Sequence, residues 1–389
     1  MVINRWLNSV ASAGKNLLRR STRERNSMAS LCSELYSNKG EALGIALADE
    51  VVNAYATLDT DEKKTFFNVL LRDYSPDPEL INRCAEAYRS ALTPETYRAL
   101  AQAVESPRQT LFRRINMAPT GTRTVIDMRE DLLQHLSEHP ELRLVDDDLQ
   151  HLLTSWFNPG FLQLRTMDWD SPAAVLEKLI EYEAVHEMQG WDDLRRRLDA
   201  KDRRCFGFFH PALPDEPLIF VEVALVPAVS SSVQTILAPH EGLVAQERIS
   251  TAIFYSISNC QPGLRGISFG NFLIKQVVMR LKEDMPQLTE FATLSPIPGF
   301  RKWLNSVLAN DQQPLLSAED ASLLTALDTP RWLEDTALQA RLKPLLMRLC
   351  ARYLLREKRG TAPLDPVARF HLGNGASVAR LNWLGDTSA

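Results

Sequence analysis

The chain has 389 residues, beyond the length at which a single hydrophobic core stops growing, so two or three domains are expected. Its 45% hydrophobic and 24% charged residues are ordinary for a globular protein, and 44 basic against 49 acidic residues (net charge -5) exclude a general nucleic-acid binder. No apolar run approaches the ~20 residues a membrane span needs, and five scattered cysteines offer neither zinc spacing nor a disulfide framework, which points to the reduced cytoplasm.

Met1 to Met28 carries Arg5, Lys15, Arg19, Arg20, Arg23 and Arg25 against the single acid Glu24. With Trp6, Leu7, Val10, Leu17 and Leu18 this segment reads as a basic amphipathic first helix; a mitochondrial presequence has the same composition and is the alternative. Asp59 and Glu62 form a capping pair ahead of Phe66, Phe67, Leu70, Leu71 and Tyr74 at helical spacing. Thr93-Pro94 starts a helix with Tyr97, Leu100, Ala101 and Val104 on one face. Ser106-Pro107 starts another through Leu111, Phe112 and Ile115, and a last one covers 125–137. Residues 1–155 are therefore expected to form an all-helical domain.

Asn158-Pro159-Gly160 marks the boundary. A helix capped by Asp170 or Ser171 is expected to run to about Met188. Residues 205–209 and 218–226 read as two neighbouring strands around a proline-rich loop, and 252–258 and 290–294 as further strands. Helices are expected at 271–282, 300–308 and 344–357. The fold class is α+β, with a mixed α/β domain over 156–389.

Three features of this second domain bear on chemistry. Gly263, Gly266 and Gly270 punctuate the connection from the strand at 252–258 to the next helix, with Arg265 among them. Such a turn points free N–H groups and a helix dipole at an anion, though the spacing is neither GxxxxGK[ST] nor GxGxxG and also suits an ordinary connection. Ser295 lies in Leu294-Ser295-Pro296-Ile297-Pro298-Gly299-Phe300, where two prolines stiffen the backbone; such a serine is either a positioned hydroxyl or a helix cap. His371 lies in Phe370-His371-Leu372-Gly373-Asn374-Gly375, read as a loop or strand end, and can move a proton near neutral pH or be structural. His135, His139, His151, His186, His210 and His240 form no metal pattern, and Asp146-Asp147-Asp148 and Arg195-Arg196-Arg197 read as solvated surface, the arginines able to guide an anionic substrate.

The blocks FYSIS, GLRG…FGNFLIKQVV, LSPIPGF..WL, EKRG, PVARFHLGNGA and NWLGD resemble the signature of malonyl-CoA decarboxylases, with weaker similarity over 191–226. The resemblance implies a helical oligomerisation domain followed by a GNAT-like (acyltransferase-type) catalytic domain. It implies conversion of malonyl-CoA to acetyl-CoA and CO2 without a metal or organic cofactor, and a homodimer or homotetramer. It places the family's Ser–His pair on Ser295 and His371. The CoA-phosphate turn falls on Arg265, Gly266, Ile267, Ser268, Phe269, Gly270 and Asn271. Family members commonly continue some tens of residues past the NW..D block, whereas this chain stops at Ala389; a tail that completed the site would be missed. Two rivals stand beside this reading: a GNAT-type acyl-CoA N-acyltransferase, and a non-catalytic CoA-binding scaffold.

Overall fold

The structure is a computed structural model that describes residues 27–37, 40–238, 248–267, 272–309 and 315–388. The basic segment expected to form the first helix, and His240, lie outside the described residues. The chain divides into two compact units, one of Met1–Gln163 with Phe208–Ile219 and Asn259–Gly270, the other of Leu164–Gly207, Phe220–Ser258 and Asn271–Ala389.

In the first unit the described residues form α1 (Met28–Ser37), α2 (Glu41–Tyr55), α3 (Thr60–Asp73), α4 (Pro78–Ser90), α5 (Pro94–Val104), α6 (Pro107–Ile115), α7 (Gly121–His135) and α8 (Arg143–Trp156). The expected start signals operate as written. Asp59 and Glu62 close a capping box on α3, Thr93 caps α5 ahead of Pro94, and the Ser106 side chain accepts the N–H of Arg108 on α6. The core is made by their apolar faces, with Phe66, Phe67, Leu70, Leu111, Phe112, Ile115, Val125 and Leu132 buried.

Within the expected helical domain no individual helix is assigned from sequence to 143–156, and its three aspartates read as solvated. The structure forms α8 there, on the buried stripe Val145, Leu149, Leu152 and Leu153. Asp146 and Asp148 are not surface charges: each holds a buried arginine, Arg129 at 2.7 Å and Arg108 at 2.8 Å. Removing two such cations from water requires this pairing.

The second unit carries most of a five-stranded sheet in the order β1-β2-β3-β4-β5. Its elements begin with β1 (Gln163–Met167), α9 (Ala173–Tyr182), α10 (Trp191–Leu198), β2 (Arg203–His210) and β3 (Leu213–Val226). Strand β1 has no counterpart in the sequence reading. The helix expected to reach Met188 stops at Tyr182, because the Glu183 carboxyl accepts the N–H groups of Val185 and His186 and folds the chain back. The strand pair is as expected, but β3 begins at Leu213 and runs through the proline-rich segment; only Pro211 and Ala212 remain as the turn, which an antiparallel pair permits. Next come α11 (Gln234–Leu237), β4 (Thr251–Asn259), α12 (Phe272–Asp284) and β5 (Glu290–Thr293). Strands β4 and β5 are parallel, in register from Thr251 opposite Glu290 to Phe254 opposite Thr293. A parallel pair needs a crossover, and α12 is that crossover.

The remainder is α13 (Phe300–Leu308), α14 (Ala318–Leu324), α15 (Thr336–Arg356), the short hairpin β6 (Lys358–Arg359) and β7 (Ala362–Pro363), and α16 (Pro366–Gly373). Pro344 does not start α15, as the sequence suggests; it lies inside a helix capped by Asp335, and the stripe Leu342, Leu345, Leu349 and Tyr353 runs past it into the core. Burial of that stripe outweighs the one backbone hydrogen bond a proline removes. Among the described residues no helix is long and apolar enough to cross a membrane.

Arg197 also departs from expectation. It is buried and gives an Nη1–H to Glu222 at 3.1 Å, while Arg195 and Arg196 stay exposed beside Asp199 and Asp193. Glu222 is 0% exposed, and burial pushes its carboxyl up to about 8 despite Arg197. A folded-state value above the ordinary 4.5 means that the native protein binds the extra proton between about 4.5 and about 8. Stability should therefore fall as pH rises through that window, by at most roughly 1.4 kcal/mol per pH unit. Denaturant unfolding of Glu222→Gln across the same range is expected to show a flatter profile than the parent chain; an identical slope would assign the proton elsewhere.

Candidate active site

The site is built where β5 ends. The Leu294 N–H bonds the Phe254 carbonyl at 3.0 Å, extending the parallel pairing one residue beyond β5. Ser295 follows immediately, past the carboxyl end of a parallel strand, the edge at which open α/β sheets bind ligands. Pro296 and Pro298 fix two φ angles, and the Phe300 N–H closes on the Ile297 carbonyl to launch α13. Ser295 is exposed and does not cap α13, whose N-cap residue Gly299 has no side chain to do so.

His371 sits in the last turn of α16, not in the loop or strand end read from the sequence. The Asn374 and Gly375 that suggested a loop are the helix stop. Asn374 returns its N–H to the carbonyls of Phe370 and His371, and Gly375 takes φ 85°, a conformation that favours glycine. At the other end the Asp365 carboxyl accepts the N–H groups of Val367 and Ala368, with Pro366 in the first turn.

These two elements bring Ser295 Oγ and His371 Nε2 to 3.1 Å, across 76 positions of sequence. The His371 ring is half-buried, with the Phe370 ring edge-on at 5.1 Å. Burial holds its pKa below the ordinary 6.5. A neutral imidazole at this distance either accepts the serine proton on Nε2 or donates one to Oγ, according to tautomer. The arrangement is an exposed hydroxyl backed by a titratable ring, able to hydrogen-bond a substrate oxygen and to move a proton.

The glycine turn is described only in part. Ser268, Phe269, Gly270 and Asn271 lie outside the described residues. Arg265 is exposed, Gly266 has φ 79°, and the Ile267 side chain is buried. Arg129 on α7, a residue the sequence reading did not single out, gives Nη1–H bonds to the carbonyls of Gly263 at 2.9 Å and Arg265 at 2.8 Å. It is 2% exposed and anchored through Nε to Asp146. A guanidinium that occupies the turn's carbonyls fixes its path; the only sequence signal was an arginine on the apolar face of a helix.

Three of the other described histidines have structural neighbours. His135 lies against Phe67, His210 against Phe157 and Phe161, and His186 is 3.8 Å from Asp386. Among the described residues no three His, Cys, Asp or Glu side chains gather as a metal site.

Known proteins with this architecture are informative. The malonyl-CoA decarboxylase C-terminal domain model matches residues 160–389, and the N-terminal domain model matches 74–157. The mitochondrial malonyl-CoA decarboxylase of Anser anser anser is 38% identical over 87% of this chain and 74% of its own length. A malonyl-CoA decarboxylase structure from Rhodopseudomonas palustris superposes with a TM-score of 0.89 at 50% identity, covering 93% of this chain and 88% of that one. One from Agrobacterium vitis gives 0.88 at 47% identity, covering 93% and 89%. The parallel β4–β5 pair, the Ser295–His371 contact and these matches lead to one conclusion: the chain belongs to the malonyl-CoA decarboxylase family.

Proposed function

We propose that this chain converts malonyl-CoA to acetyl-CoA and CO2, with Ser295 and His371 as the working pair and Arg265 to Asn271 as the turn that holds the CoA phosphates. The observation that carries the reading is the 3.1 Å approach of Ser295 Oγ to His371 Nε2 in a chain of this family. Residues 1–155 serve oligomerisation, giving a homodimer or homotetramer, and 156–389 form the catalytic domain. The protein works in the cytoplasm, with the mitochondrial matrix as the alternative, since the animal relatives are named as mitochondrial.

Loss of CO2 from a malonyl thioester moves the C–C bonding pair into an enolate whose charge rests on the thioester oxygen. Two tasks then fall to the protein: to stabilise that oxygen or hold the departing carboxylate, and to protonate the α-carbon. Ser295, rigid and exposed, hydrogen-bonds the carboxylate or the enolate oxygen. His371 supplies the proton from its imidazolium form and is recharged from solvent, so the sum is malonyl-CoA plus one proton giving acetyl-CoA plus CO2. Burial makes the free enzyme's ring a stronger acid but a less populated one. The substrate carboxylate, arriving beside the ring, raises its pKa again and restores the acid where it is used.

Incubating the protein with malonyl-CoA alone should release CO2 and acetyl-CoA; no release without an amine acceptor would sink the reading. His371→Asn should lower kcat roughly 10²- to 10⁴-fold and leave CoA affinity nearly intact. The pH dependence has a definite sign. kcat/KM should fall as pH rises through a free-enzyme value below 6.5, and kcat should fall through a higher one. A rate that climbs with pH over that range would remove His371 as the acid. Arg265→Ala should raise the apparent KM with little change in kcat, and an unchanged KM would count against the phosphate role.

A further inference from the structure

Ser295 and His371 lie on separate elements, and one buried side chain joins those elements. Asp365 is 1% exposed. Its Oδ1 accepts the N–H groups of Val367 at 3.0 Å and Ala368 at 2.9 Å, fixing the first turn of the helix that carries His371. Its Oδ2 points the other way. It accepts the N–H of Gly299 at 3.3 Å, the residue that ends the Ser295 turn, and the hydroxyl of Tyr353 on α15 at 3.5 Å. We propose that Asp365 is the positioning residue of this site: one carboxyl group sets the His371 helix against the Ser295 turn and so fixes the separation of hydroxyl and imidazole. The inference rests on the reading of Ser295 and His371 as the working pair.

The surroundings of Asp365 are built for that link. A Cβ at position 299 would overlap the Tyr353 hydroxyl, so glycine is what lets the turn reach the carboxyl. Burial, with Asp365 beside it, raises the pKa of Tyr353, so the phenol keeps its proton and stays a donor. Ile297, Phe300 and Ala368 pack on the core that holds Tyr353, bringing the turn, α13 and α16 onto one apolar support. His371 is six residues from Asp365 along α16, about 9 Å of helix rise, so a small tilt at the cap is magnified at the ring. Misplacement of a reacting group by about 1 Å costs on the order of 100-fold in rate.

Two substitutions separate the functions of the two oxygens. Serine caps a helix about as well as aspartate but cannot reach Gly299 or Tyr353. Asparagine also caps, and its amide nitrogen can donate to the Tyr353 oxygen, but that nitrogen cannot accept the Gly299 N–H, so it keeps the Tyr353 contact and loses the one to the Ser295 turn. The test measures kcat and KM for malonyl-CoA, and CoA affinity by calorimetry, on the full chain. It compares Asp365→Ser, Asp365→Asn, His371→Asn and the double variant Asp365→Ser/His371→Asn. Asp365→Ser should lose ~10- to 100-fold in kcat with KM and CoA affinity within about threefold, and Asp365→Asn, which loses the Gly299 contact alone, should lose kcat too but less than Asp365→Ser. In the double variant the loss should fall well short of the product of the two single losses, since both substitutions act on the one contact between hydroxyl and ring. Full kcat in Asp365→Ser, a double loss equal to the product of the two single ones, or loss of CoA affinity in Asp365→Ser would overturn the proposal. Full turnover in both His371→Asn and Ser295→Ala would instead remove the working pair itself, whatever Asp365 does.

Discussion

A hydroxyl and an imidazole 76 positions apart stand 3.1 Å from one another because the turn after β5 and the helix α16 are seated on the same aromatic support. Phe300 and Trp303 of α13 lie against Tyr353 of α15, with ring centroids 5.9 and 5.3 Å away. The rest of the unit follows from the need to hold these pieces still. Prolines stiffen the serine side, capping residues fix both ends of the histidine helix, and the Asp365 carboxyl joins the two. None of these contacts touches the reacting atoms, but each removes a way for the pair to separate.

Burial does two different things in this unit. At His371 it is partial and lowers the pKa of a ring that lies next to an exposed hydroxyl, leaving a group whose charge an incoming carboxylate can reset. At Glu222 it is complete and raises the carboxyl to about 8 although Arg197 stands beside it. That cluster also includes Tyr255, whose hydroxyl burial pushes well above its ordinary value, and Glu183, which gathers Ser256, Ser258 and two backbone N–H groups. The same low dielectric that favours a neutral ring at one site keeps a carboxyl protonated at the other.

Local rules made the helical half readable. Asp59 with Glu62, Thr93 with Pro94 and Ser106 with Pro107 each begin a helix through contacts within a few residues, so short sequence windows contain the signal. Long-range pairing was hidden. Nothing near Asp146, Asp148 or Arg197 announces a buried partner, and their charge runs look like solvated surface until α7, α6 and β3 are in place. The same holds for Arg129, whose hydrogen bonds join it to carbonyls 134 and 136 positions away. Ser295 and His371 were found through family-like motifs; the stiffness of the turn was legible from Pro296 and Pro298, whereas the helical setting of His371 was concealed by Gly373, Asn374 and Gly375. Asp365 was not singled out at all, because its second oxygen meets Gly299 and Tyr353 only in the folded chain.

The most direct measurement is a crystal structure of the protein with a malonyl-CoA analogue that cannot lose CO2. Ser295 Oγ should lie about 3 Å from a carboxylate or thioester oxygen of the acyl group, and His371 Nε2 within about 3–3.5 Å of the α-carbon. An acyl group bound out of reach of both atoms, with the Ser295–His371 contact undisturbed, would contradict this placement.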